Sequence, residues 1–73
     1  MIYPNPASNI LNISSNETLN RIILRDVTGR LILDVNPSSS QINLDVSGLS
    51  TNMYFVECFD DKGSTLKRVF VTH

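Results

Sequence analysis

Turn-forming residues recur along this chain too often for a helix of any length to fit between them. Gly, Pro, Asn, Asp and Ser cluster at Pro4-Asn5-Pro6, around Gly29, at Asn36-Pro37-Ser38-Ser39-Ser40, from Asp45 to Asn52 and at Asp60-Asp61-Lys62-Gly63. The intervening runs are short and rich in Ile, Val, Leu, Thr and aromatic residues, with a period near two, as strands are. They read as Ile2-Tyr3, Ile10 to Ser14, Arg21 to Asp26, Leu31 to Val35, Gln41 to Leu44, Met53 to Phe59 and Thr65 to Val71. Proline lacks an N–H and pushes its predecessor to extended angles, so Tyr3 and Asn5 are expected to be extended.

Alternation assigns faces. Leu11 with Ile13, Ile22 with Leu24, and Ile42 with Leu44 are expected inward. Leu31, Leu33 and Val35 alternate with Ile32 and Asp34. Gly29 supplies a positive φ between the third and fourth runs, and Gly63 does so between the last two. Val46 and Leu49 are placed to plug one end of the core. In the strongest run Tyr54, Val56 and Cys58 share one face, with Met53, Phe55, Glu57 and Phe59 on the other. Six or seven short strands with no helix have one compact solution, two small sheets face to face. The expected fold is all-β, a small immunoglobulin-like antiparallel β-sandwich of six to seven strands. Residues 1–73 make one domain, with 1–7 as linker and first strand.

Size and charge then exclude function classes. Seventy-three residues bury a modest share of their surface and leave little core in which to carve a deep pocket. With a net charge of −1, 18% charged residues and no basic stripe, the chain offers phosphates no landing surface, and nucleic-acid binding is not expected. The apolar runs fall far short of the roughly 20 residues that cross a bilayer, so direct membrane insertion is not expected either. No basic segment followed by an apolar one succeeds Met1, which is compatible with an expression start. If a parent protein is exported, its signal is expected upstream. Cys58 is the one cysteine, so no internal disulfide forms, and its place beside Tyr54 and Val56 reads as a buried structural thiol.

Candidate chemistry is thin. His73, the sole histidine, is expected to fray at the terminus. No second His or Cys stands at metal-ligand spacing. Asp60-Asp61-Lys62-Gly63 lacks the alternating carboxylates and distant glutamate of an EF-hand and reads as a hairpin turn. No serine occupies a nucleophile elbow. Asn12-Ile13-Ser14 and Asn16-Glu17-Thr18 fit the glycosylation sequon, a short and common pattern that matters only in a suitable host. No catalytic residue, no metal site and no cofactor is expected.

Several segments in order resemble one family. Tyr3-Pro4-Asn5-Pro6-Ala7 followed by Leu11-x-Ile13, Asp26-x-x-Gly29-Arg30-Leu31, and Ile42-x-Leu44 with Leu49 ahead of Met53-Tyr54-Phe55-Val56 are three of them. Asp61-Lys62-Gly63 with Lys67-Arg68-Val69 is the fourth. Together they resemble the type A C-terminal sorting domain of the Bacteroidetes type IX (Por) secretion system. The resemblance implies a non-catalytic C-terminal secretion signal. It would be exported through the periplasm and read by an outer-membrane translocon. A sortase would then remove it, leaving the upstream cargo at the cell surface or released.

The family's secretion-linked elements fall here on Asn52, Tyr54, Gly63, Lys67 and Arg68. Each has a structural reading too. Tyr54 suits the core, Gly63 serves its turn, and Lys67 and Arg68 protect a sheet edge from unwanted pairing. Asn52 stands where the family has glycine and is expected at positive φ, so that Asn52→Gly is neutral and Asn52→Val destabilises. Open edges also allow a dimer through the edge strands. The rival readings are a passive spacer and an immunoglobulin-like or fibronectin-like adhesion or carbohydrate-binding module. The latter needs exposed aromatics on one sheet, for which Phe55 and Phe59 are the candidates.

Overall fold

A computed structural model describes residues 2–3 and 6–73. Its elements are β1 (Ile2–Tyr3), β2 (Ile10–Leu19), β3 (Arg21–Asp26), β4 (Leu31–Val35), β5 (Ser39–Asp45), β6 (Asn52–Asp60) and β7 (Gly63–Val71). They form a three-stranded sheet in the order β1-β2-β5 and a four-stranded sheet in the order β4-β3-β6-β7. All strand pairs are antiparallel. The all-β sandwich expected from the sequence is the fold. The fourth strand pairs with the third, whereas in constant-type immunoglobulin domains it joins the sheet of the first, second and fifth. The expected extension of Tyr3 is observed in β1, while Asn5 lies outside the described residues.

The inner faces meet in one apolar cluster. Leu11, Ile13, Ile22, Leu24, Leu44, Val56, Val69 and Val71 are buried there, as period-two alternation requires. Val46 and Leu49 close one end, with the Val46 amide donating to the Asn9 carbonyl at 2.8 Å and the Leu49 amide to the Val46 carbonyl at 3.1 Å.

Ala7 completes this end. Its N–H donates to the Phe70 carbonyl at 2.8 Å, and its carbonyl accepts from the Thr72 amide at 2.9 Å, making an isolated parallel bridge to Val71. The chain thus contributes Ile2 and Tyr3 to one sheet and Ala7 to the other. His73 does not fray as expected. Its amide donates to Thr51 Oγ1 at 3.0 Å and its Nε2 lies 2.6 Å from the Leu49 carbonyl.

Three local features differ from the alternation pattern. β2 continues past Ser14 to Leu19, but its register with β5 shifts between those residues, so Ser14 faces Gln41 and Leu19 faces Ser39. A second shift, between Leu24 and Arg25, turns Leu31 outward to 54% exposure while Ile32, Leu33 and Val35 pack on the core. Third, Asn52 is not left-handed. Ser38 (φ 48°) is the one non-glycine residue at positive φ among those described. The chain has already turned at Val46–Leu49, so Asn52 is an extended residue paired with Val71, its Oδ1 accepting the Met53 amide at 2.8 Å. The substitution preference therefore reverses, because an extended position favours Val over Gly.

The Asp26–Arg30 turn explains its own sequence. Asp26 Oδ1 accepts from the Thr28 hydroxyl (2.6 Å), the Thr28 amide (2.9 Å) and the Arg30 amide (3.0 Å). Gly29 takes a φ of 88° that a side chain would strain. The Thr28 hydroxyl is the main reason the Asp26 carboxyl is held below its usual range, despite partial desolvation.

Candidate recognition surface

The five residues singled out in the sequence all lie on the β6–β7 hairpin, but the fold does not gather them. Asn52 opposes Val71 at one end of its nine-pair ladder, and Gly63 opposes Asp60 at the other. At about 3.4 Å per residue these ends are separated by roughly 27 Å. Gly63 has a φ of 145° and closes the turn, where the Lys62 amide donates to Asp60 Oδ1 at 2.8 Å.

Tyr54 is 3% exposed and belongs to the core. Its hydroxyl donates to the Ser50 carbonyl at 2.7 Å and sits 3.2 Å from Ser50 Oγ. A buried tyrosine at the start of the sixth strand, bonded to backbone four residues upstream, is the tyrosine corner of immunoglobulin-type sandwiches. It locks the β5–β6 connection onto the sheet and leaves no tyrosine surface for a partner. The inward phase of Tyr54 was the usable clue, since a buried phenol needs an acceptor and Ser50 stands one short turn away.

Lys67 and Arg68 are neighbours on β7. Lys67 pairs with Val56 and Arg68 with Phe55, so the two cations project from opposite faces of β7. The chain has six Lys and Arg residues. Four are paired: Arg21–Asp34 (2.7 Å), Arg25–Glu57 (3.5 Å), Arg30–Asp26 (3.2 Å) and Lys62–Glu17 (2.8 Å). Among the described residues Lys67 and Arg68 have no carboxylate partner.

Lys67 borders a groove of about 510 Å³ between the two sheets. The β2 register shift opens it, and Ile13, Leu19 and Cys58 form its apolar side, with Thr65 and Asp60 at the rim. Cys58 is half-buried, and burial pushes its thiol pKa up, away from the reactive thiolate. No group of three or more His, Cys, Asp or Glu residues that could hold a metal ion occurs among the described residues.

The outer face of the four-stranded sheet carries Phe55 and Phe59, both half-buried, and Phe70 at 47% exposure. Arg21 stacks on Phe59, its guanidinium carbon 5.8 Å from the ring centroid, and Arg21 is itself clamped by both oxygens of Asp34. This covers one of the two rings that an adhesion or carbohydrate platform would need.

No curated protein matches the chain. A solved chain from a structural and functional probing of PorZ is similar in fold. That protein is described as an essential bacterial surface component of the type-IX secretion system of the human oral-microbiomic Porphyromonas gingivalis. The likeness has a TM-score of 0.80 and 22% identity, covering 100% of this chain but 11% of that one. The family model of the secretion system C-terminal sorting domain matches residues 1–72. The chain is therefore a member of the type IX (Por) secretion system C-terminal sorting domain family.

Proposed function

We propose that this domain is a non-catalytic label for export, read by the outer-membrane translocon of the type IX system while the parent protein is in the periplasm. The cargo lies upstream of Tyr3-Pro4-Asn5-Pro6, and a sortase of the system separates it from the label at the cell surface. The family match across residues 1–72 carries the reading. Supporting it, the core is closed by the domain's own apolar side chains and backbone bonds, without a disulfide among the described residues, as suits a label that folds in any exported parent.

Within this reading the five residues divide by role. Lys67 and Arg68 make contact. Tyr54, Asn52 and Gly63 hold the hairpin that presents them.

The test is a reporter directed to the periplasm by its own signal and fused ahead of this chain in a type IX-competent host. The reporter is expected at the cell surface or in the medium, and in the periplasm of a host whose translocon is disabled. A folded fusion that stays in the periplasm of the competent host would refute the proposal.

A further inference from the structure

The free edge of β7 carries an unfinished strand pairing. Ala7 takes the outward carbonyl of Phe70 and the outward amide of Thr72. Backbone direction alternates along an antiparallel strand. The unbroken β6–β7 register therefore also aims the N–H and C=O groups of Ser64, Leu66 and Arg68 away from β6. Among the described residues no group takes them. Every residue from Gly63 to Arg68 is exposed, with Leu66 at 61%. This is a row of donors and acceptors about five residues long with both faces open.

From these observations we propose that the Ser64–Arg68 edge is a strand-addition site for an acidic extended segment of a partner protein. The inference rests on the sorting reading and names the chemistry of the partner. Backbone pairing supplies the attachment, and side chains on alternate faces supply the selection. Side chains on the inner face of the added strand enter the groove beside Ile13, Leu19 and Cys58 and pass Lys67. Those on the outer face pass Arg68. The two cations without carboxylate partners flank the strand on both sides, and Asp60 at the groove rim is occupied by the Lys62 amide of its own turn. A segment alternating small apolar and acidic residues satisfies each of these surfaces, and a basic one meets Lys67 and Arg68 with like charge.

The experiment titrates the isotope-labelled 73-residue chain with a seven-residue peptide alternating valine and glutamate, and with the same peptide carrying lysine for glutamate. With the acidic peptide, the amide resonances of Ser64, Leu66 and Arg68 are expected to shift and to gain exchange protection. The lysine peptide is expected to bind at least about tenfold more weakly, as is the acidic peptide to the Lys67→Glu/Arg68→Glu variant. Raised salt lowers the acidic peptide's affinity. A second variant, Leu66→Pro, removes an outward N–H without touching the β6 ladder and is expected to abolish binding while the core resonances persist.

Equal binding of the two peptides overturns the proposal. So do shifts confined to Met53, Phe55 and Phe70 on the outer face, or a concentration-dependent dimer that already protects Leu66. Export of the wild-type reporter without peptide binding overturns the edge assignment alone. Peptide binding with a reporter held in the periplasm supports the edge assignment and overturns the sorting reading.

Discussion

The two ends of the β6–β7 hairpin are built from the same kind of strand and have opposite fates. At the Asn52–Val71 end, Tyr54, Val69 and Val71 are buried. The tyrosine corner, Val46, Ala7 and His73 close over them with directed hydrogen bonds. At the Asp60–Gly63 end the inward positions are Cys58, Thr65 and Lys67, and they face an open groove. The closed end gives the domain its stability. The open end leaves a backbone edge on the surface, and the middle of the ladder adds Lys67 and Arg68, two cations with no carboxylate partner among the described residues.

The largest expected effect lies in the core the closed end protects. Leu24→Ala removes a fully buried side chain and is expected to cost about 2–5 kcal/mol by urea denaturation, enough to unfold much of a domain this size. Tyr54→Phe keeps the ring and loses the bond to Ser50, for about 0.5–1.5 kcal/mol in the same assay. If that loss were absent, the corner would not be what holds this end.

Acid should act through the Asp26 turn and the cross-strand Arg21–Asp34 pair. Asp26 is held below its ordinary pKa mainly by the Thr28 hydroxyl, and Asp34 mainly by its hydrogen bond from Arg21. A depressed folded pKa means stability that is present above the unfolded aspartate value of about 3.9 and is lost as pH falls through the folded one. Melting temperature should therefore drop below pH 4, and Asp26→Asn should flatten that limb. At the open end, Cys58 should react with a thiol reagent more slowly in the folded protein than in urea, because burial raises its pKa. The smallest effect is for Lys67→Glu/Arg68→Glu, expected within about 0.5 kcal/mol of wild type, since both residues are exposed and have no carboxylate partner among the described residues.

What the sequence discloses follows the same division. The bounds of β3 and β4 are legible to the residue, because the Asp26–Gly29 turn acts locally, whereas the faces of Leu31 and Ile32 are set by the register shift with β3. Legible too are the glycines at 29 and 63, whose positive φ their turns demand. The open end is not legible. The groove depends on a register shift between Ser14 and Leu19, and register is decided by the partner strand rather than by β2 itself. The bridge from Ala7 to Val71 is equally hidden, since it joins opposite ends of the chain. At Asn52 the family resemblance misleads: it implies a positive φ, whereas here the turn is complete before the residue, which is extended. Lys67 and Arg68 are visible as a basic pair in sequence, but their lack of carboxylate partners emerges only once the other four cations are placed.

Amide hydrogen exchange of the free protein tests the central claim most directly. The account predicts that within β7 the amides of Val69 and Val71, directed at β6, exchange near the global unfolding limit, while those of Ser64, Leu66 and Arg68 exchange rapidly. Slow exchange at Leu66 and Arg68, matching that of Val69, would mean the edge is already paired and would contradict the account.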